Sequence, residues 1–456
     1  MDTKNIAKMH PLFGAIRKHY EFSDLLAGGT IDMREAHNKT LPKEPMESDE
    51  AYKIRISRSV LFNAFMKTVD TYSLKPFGEK PTILVGGKEG DILPAGYEWL
   101  ENDTDRESTK LANFLKRRVR DVLMYGKSIV MVDMPSTVGE NGSAMNLAEE
   151  RSNNIHPFFA HIHPDSLIFW SKDEKGFDEI KLKYSLFENN GNGEIKEVDY
   201  IDHWTRETID TYFKTDKNSE SWQLKETIKN PIKAIPINVV SSIDSNPVLE
   251  DLAHLNLSHF RKSSDLDNIL HVACVPILHL AGFDADEISG TISVNNAYVT
   301  SKENSKAAWI ELTGSGVEQA TKDLERLEDK MSVYGIELTT PKSVSKTATE
   351  VITDTDADTS ILQAVVKEVE SEAPTLIGLA ALWMNDSSPP DITIDIFKDF
   401  NISREVYKKV AALLELRKAN EISRATFLSM LNKLKVFGDD FDVDEELGKI
   451  EDSGEL

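Results

Sequence analysis

Val248 to Val275 reads as one long helix, bounded by a change of pattern at Pro247 and stopped by Pro276. At about 1.5 Å per residue it would reach roughly 40 Å, more than the width of a small domain. A small strand–helix–strand unit follows: Ile277–Ala281, Ser289–Tyr298 and Ala308–Leu312. Then comes a second helix, Val317 to Tyr334, dense in alternating charge. Two rods flanking a compact insert leave few folds open, because their apolar sides need each other or another chain.

The first 40 residues carry a mixed pattern and read as a partly mobile arm. After Pro42 and Pro45 a helix is predicted from Asp49 to Leu74, with Ser48 as its cap and Asp49 and Glu50 at the positive end of its dipole. Ile54, Val60, Leu61, Phe65 and Val69 form its stripe, and a Pro/Gly-rich connection after it holds the short apolar run Thr82–Val85. A second helix, Arg106 to Met124, places Leu111, Phe114, Leu115, Val119, Val122 and Leu123 on one face and stops at Gly126. Ser128–Val132 follows as a buried strand, then Pro135–Asn154 as a polar exposed loop. From Pro157 to Val240 alternating runs separated by turns such as Asn189–Gly193 predict a mostly antiparallel region.

Beyond the second rod, Thr339–Ser360 lacks an apolar period and reads as a loop. Ile361 to Met384 is a long amphipathic helix that Pro374 should kink, and Ile392–Ile396 alternates as a strand. Two short helices, Arg404–Lys418 and Arg424–Leu434, close the pattern, with Ser423 capping the second. Gly438 to Leu456 sets nine acids against Lys449 alone and reads as a mobile tail. The fold class is α+β, without internal repeats.

The 53 Lys and Arg residues against 77 Asp and Glu give a net charge of −24 over 456 residues. Such a chain is not expected to hold duplex DNA on a broad basic face, since phosphate binding is driven by Lys and Arg displacing counterions. An acidic surface is also what a protein needs to stay beside DNA without adhering to it. The single cysteine, Cys274, excludes an intramolecular disulfide and multi-thiolate zinc sites. Neither a signal-peptide run at the N-terminus nor an apolar stretch of about 18 residues is present, so a soluble protein is expected.

Gly126-Lys127-Ser128 invites a phosphate-loop reading, but Asp121 stands where the first glycine belongs and a helix precedes where a strand should. A helix C-cap is the better account. Asp165, Glu179 and Lys181 fit the loose pattern of metal-dependent nucleases, two acids for Mg²⁺ and a lysine beside the attacking water. Two solvated strands explain the same residues. His161 and His163, two apart on a strand, share a face but lack a third ligand at a telling spacing, so structural histidines are expected and no metal or cofactor is assigned. The basic run Lys116–Arg120 reads as a solvated or subunit-contacting helix face rather than a phosphate site.

Several segments, in order, resemble the portal (head–tail connector) proteins of tailed bacteriophages. They are LPKEPMESDEAYKIRISRSVLFNAFMKTV (Leu41–Val69), KLANFLKRRVRDVLMYGKSIVMVDMP (Lys110–Pro135) and HPFFAHIHPDSLIFW (His156–Trp170). The series continues with NPVLEDLAHLNLSHFRKSSD (Asn246–Asp265), ACVPILHLAGF (Ala273–Phe283), Thr347–Val365 and Glu421–Ile450. The resemblance implies a portal fold with an α/β wing, a two-helix stem, a small α/β clip and a helical crown. On this chain it implies an N-terminal arm at 1–40, a wing at 41–246 and 361–400, and stem helices at 247–275 and 317–335. The clip would be 276–316, a channel loop 336–360, and the crown with its acidic tail 401–456.

The resemblance further implies a homo-oligomeric ring, typically of twelve subunits, at one capsid vertex of the virion, assembled in the host cytoplasm and without a membrane partner. Double-stranded DNA would pass through it without sequence recognition. A terminase motor, capsid or scaffold protein and a tail adaptor would dock on it, and the subunit would be no enzyme. Lys342 and Lys346 would be the channel loop's cations; Phe283, Asp284, Asp286, Glu287 and Trp309 would lie on the clip's docking surface. The alternatives are the nuclease built on Asp165, Glu179 and Lys181, and a capsid adaptor that forms no channel.

Overall fold

The computed structural model describes residues 5–89, 92–135, 153, 155–189, 193–214, 221–273, 277–283, 304–310, 315–334, 361–397, 402–419, 421–433, 443, 446 and 448. These fall into two units, 1–396 and 397–456. The chain is mixed α and β, with every strand pair antiparallel among the described residues.

The first unit opens with α1 (Phe13–Ala27), α2 (Gly29–Glu35) and α3 (His37–Thr40). This corrects the expectation of a loose arm. Phe13, Tyr20, Leu26 and Met33 are buried, as is Ile6 ahead of them. Their spacing is sparse, and the apolar surface that covers them is supplied from far along the chain.

The single helix expected over Asp49–Leu74 is two, α4 (Asp49–Arg58) and α5 (Ala64–Leu74). Ser48 Oγ caps the first by accepting from Ala51 N at 3.1 Å, and Asn63 Oδ1 caps the second by accepting from Met66 N at 3.0 Å. The break occurs where Ser59 Oγ is drawn to Ser264 Oγ at 2.7 Å, which leaves Val60 exposed rather than in the stripe.

After β1 (Thr82–Val85), β2 (Lys88–Glu89) and α6 (Trp99–Asn102), helix α7 spans Leu111–Tyr125. It starts later than Arg106 because Arg106 and Ser108 take positive φ in a turn built by aspartates. Asp105 accepts from Glu107 N at 2.9 Å and Asp103 from Ser108 N at 2.8 Å. Gly126 ends α7 at φ +74°, and a Cβ there would stand 2.4 Å from the Asn246 backbone, so both conformation and space require glycine.

Strand β3 (Ser128–Asp133) is the centre of a sheet between β4 (Phe158–Ile162) and β10 (Ile237–Val240). The five strands β5 (Leu167–Asp173), β6 (Gly176–Asn189), β7 (Ile195–Thr205), β8 (Thr208–Lys214) and β9 (Gln223–Lys229) form a meander. Alternation gives the meander two faces with buried residues, though every residue of β9 is exposed. One face, with Leu167, Ile180, Leu182, Trp204 and Ile209, packs on Ile129, Met131 and Ile237 of the three-stranded sheet. The other, with Ile168, Ile201, Tyr212 and Trp222, is covered by Ile6 and Phe13.

Two further helices are α8 (Glu250–Ala273) and α9 (Ser315–Ser332), with β11 (Ile277–Ala281) and β12 (Lys306–Ile310) between them. Residues 361–371 form α10, and α11 covers Ala373–Trp383. Pro374 produces a break at Glu372 rather than a kink, sitting in the first turn of α11 where a missing N–H costs nothing. Strand β13 (Ile392–Asp395) pairs with β1. No helix among the described residues is long and apolar enough to cross a membrane.

The second unit holds α12 (Ile402–Lys418) and α13 (Arg424–Lys433). Ser423 Oγ caps α13, accepting from Thr426 N at 3.1 Å.

Candidate functional site

The first part of α8 is gripped by the body of the protein. Leu249, Leu252, Ala253, Leu257 and Phe260 are buried. Asn256 bridges the α4–α5 break, accepting from Phe65 N at 2.9 Å and donating to the Phe62 carbonyl at 2.8 Å. Arg261 donates to the carbonyls of Thr40 and Lys39 at 2.8 and 2.7 Å, satisfying the C-terminal end of α3. Asp265 faces Arg55 at 3.6 Å, and burial raises its carboxyl above the usual range against the pull of that guanidinium.

From Asp267 to His271 every residue of α8 is exposed, Ile269 and Leu270 included. The helix leaves the body there. Helix α9 returns beside it in the opposite direction: Lys262 pairs with Asp323, and His259 Nε2 meets Glu328 Oε1 at 3.3 Å. Leu327 and Met331 are the buried residues of α9, both near its C-terminal end, where it rejoins the body. Beyond the helices the strands pair in the same sense, Ile277 with Ile310 and Ala281 with Lys306. The described residues of the segment therefore make a helical hairpin, with an antiparallel strand pair between its two helices in the chain. Each helix carries two more acids than bases, and ion pairs hold the helices together at their root.

Phe283 is half-buried just past β11, and Trp309 lies in β12 opposite Leu278. Asp284, Asp286, Glu287, the expected clip helix and the channel-loop residues Lys342 and Lys346 lie outside the described residues. So do nearly all of Pro135–Asn154 and most of the acidic tail.

The alternative sites look different in three dimensions. Asp165 is held by Arg17 Nε at 3.0 Å and by the Tyr20 hydroxyl at 2.9 Å. Glu179 instead faces His203 Nε2 at 2.9 Å, and the buried Lys181 sets its Nζ over the Phe169 ring at 4.8 Å. The three-ligand cluster that contains Asp165 is Asp24, His163 and Asp165, with ligand atoms within 4.8 Å of one another, and Glu179 is not part of it. The remaining ligand, Asp24, comes from α1, so no spacing near His163 could have revealed it. The members already satisfy each other, with His163 Nε2 on Asp24 Oδ1 at 3.1 Å and Asp165 N–H donating to His163 Nδ1 at 3.2 Å.

His161 and His163 do not act together. His161 turns to Asp121 at 3.3 Å under the Phe114 ring, and burial lowers its pKa, while His163 lies beyond the strand end. Lys127 is buried, donating to the Ile243 carbonyl at 2.6 Å, and burial pulls its pKa down to about 8. The Gly126-Lys127-Ser128 turn thus binds its own backbone. The basic run is split as well. Arg118 is fully buried and bonded to Asn238, whose amide donates to Glu372 at 2.6 Å, whereas Arg117 is exposed.

Residues 248–384 match the model of DUF4055, a domain of unknown function, which covers less than half of the chain. The match begins at the start of the helical hairpin and ends just past α11. No curated protein is significantly similar in sequence. Among solved structures, a chain from the neck of an empty GTA particle computed with C6 symmetry is similar at 9% identity and a TM-score of 0.41, with 81% of this chain and 89% of that chain covered.

Proposed function

We propose that this chain is a portal subunit: twelve copies form a ring at a capsid vertex, and DNA enters and leaves through its channel. The observation that carries the reading is the helical hairpin α8–α9, with the β11–β12 pair between its two helices in the chain. It leaves the body at Asp267, with acids in excess on both helices and Ile269 and Leu270 exposed. A lone chain gains nothing from exposing those apolar groups on a projecting rod; a neighbouring copy would cover them. The ordered sequence resemblance from Leu41 to Ile450 supports the same reading.

In this function the protein performs no bond chemistry. Carboxylates along the channel repel DNA phosphates within the roughly 8–10 Å Debye length at physiological salt, which prevents adhesion during transit. Lys342 and Lys346 supply weak local phosphate contacts, and the clip meets the terminase motor and later the tail adaptor. Electron microscopy and light scattering of the purified chain test the proposal. The expected result is rings near twelve subunits with an open centre; a monomer at every concentration overturns it.

A further inference from the structure

A cavity of about 890 Å³ lies among the end of β3, the β7–β9 face of the meander and the C-terminal end of α11. Its size is that of a small-ligand site. Asp133 and Asp202 line it together with Trp204 and Trp383, and Ile209 and Ile228 add apolar wall. Asp202 accepts from the Tyr184 hydroxyl at 3.0 Å and from Thr211 Oγ1 at 2.8 Å. The bond to Asp133 is from its neighbour's amide, Met134 N, at 2.8 Å. Burial raises both carboxyls above the usual range, and the charge of Asp202 adds to the effect on Asp133.

Neither carboxylate has a cation in an ion pair among the described residues, and Lys229, the cavity's one lysine among them, is exposed. A third acid on the wall, Asp386, is taken by the Tyr97 hydroxyl at 2.9 Å. The indole Nε1–H of Trp383 donates to the Val132 carbonyl at 2.8 Å, but that of Trp204 is buried in the core without a partner among the described residues. Trp204 itself is 6% exposed. The cavity therefore combines two desolvated acids with aromatic and aliphatic walls.

We propose that this cavity binds the alkylammonium group of a lysine-like ligand. The ammonium would sit between Asp133 and Asp202, and the methylene stem would lie along Ile209, Ile228 and the indoles, where aromatic faces favour cations. A metal ion fits less well, because the walls are carbon. The inference does not depend on ring formation.

Isothermal titration calorimetry of the full chain tests it, with N-acetyl-lysine methylamide and spermidine as separate probes at matched ionic strength. The expected result is saturable binding that weakens at least tenfold in Asp133→Asn and in Asp202→Asn. Binding of the lysine amide assigns the site to a lysine side chain, and binding of spermidine alone assigns it to free polyamines. Ile228→Lys changes an exposed position on the same wall and should abolish binding with the fold intact, which covers the case where Asp202→Asn does not fold. No saturable binding of either probe, equal displacement by Mg²⁺, or undiminished binding in Ile228→Lys overturns the inference.

Discussion

His163 joins α1 to the strand end that precedes β5, with Asp24 on one side of its ring and the Asp165 amide on the other. Burial alone would lower its pKa, but the hydrogen bond to Asp24 and the charges of Asp24, Asp165 and Asp121 outweigh that and raise it. A folded-state pKa above the unfolded value means that the imidazolium stabilises the fold. That contribution is complete below the unfolded value of about 6.5 and is lost as pH rises through the folded one. The site is partly open to solvent, so the gain is roughly 0.5–1 kcal/mol. His163→Gln should accordingly lower the urea midpoint more at pH 5.5 than at pH 8.5; equal losses at both would show that the charged ring is not favoured. At this scale the sequence was readable where chemistry is local. Ser48, Gly126 and Ser423 cap as their positions predict. Arg118 and Asp24 were not readable, because their partners, Asn238 and His163, lie more than a hundred residues away.

Elements with a strong internal period were legible almost to their ends. The antiparallel strands from β4 to β9, the helix before Gly126 and the two rods all occur where alternation and helical stripes place them. Two failures share one cause, a side chain whose best partner lies outside its own segment, whereas the late start of α7 and the break at Glu372 come from local turn and proline geometry. Ser59 and Asn63 split the Asp49–Leu74 helix through bonds to Ser264 and to the Leu26 carbonyl, and the arm's sparse apolar residues found a sheet face to cover. The same reasoning predicts how the hairpin opens. Helix α9 is fastened by Leu327, Met331 and ion pairs, with the rest of its described surface half-buried or exposed. Truncating a buried Leu or Met to Ala costs roughly 2–5 kcal/mol. That loss falls on a locally fastened element, so Leu327→Ala with Met331→Ala should raise amide exchange across Ser315–Ser332. Protection in β6 and β7 should stay unchanged. Uniform loss of protection across both regions would show that the hairpin and the meander unfold as one.

Assembly is where the chain's acidity and its hairpin acquire a common meaning. A surface with a net charge of −24 resists self-association through charge alone, so a ring would need apolar contacts such as those offered by Ile269 and Leu270. The part proposed to meet the motor can be separated from the part proposed to close the ring. Ser305 Oγ donates to the Gly282 carbonyl at 3.1 Å, so the two ends of the intervening segment already lie side by side. Replacing residues 283–304 with a short Gly/Ser turn would keep β11 paired with β12 and leave α8, α9 and their root contacts untouched. The shortened protein should fold, with a far-UV spectrum and melting temperature close to those of the full chain, and should form the same rings. Heads built with it should remain empty, because the motor would have lost its docking surface while the channel wall was kept. Filled heads at the normal rate would place motor docking elsewhere on the subunit, whereas a failure to form rings would move residues 283–304 from the motor contact to the contact between subunits.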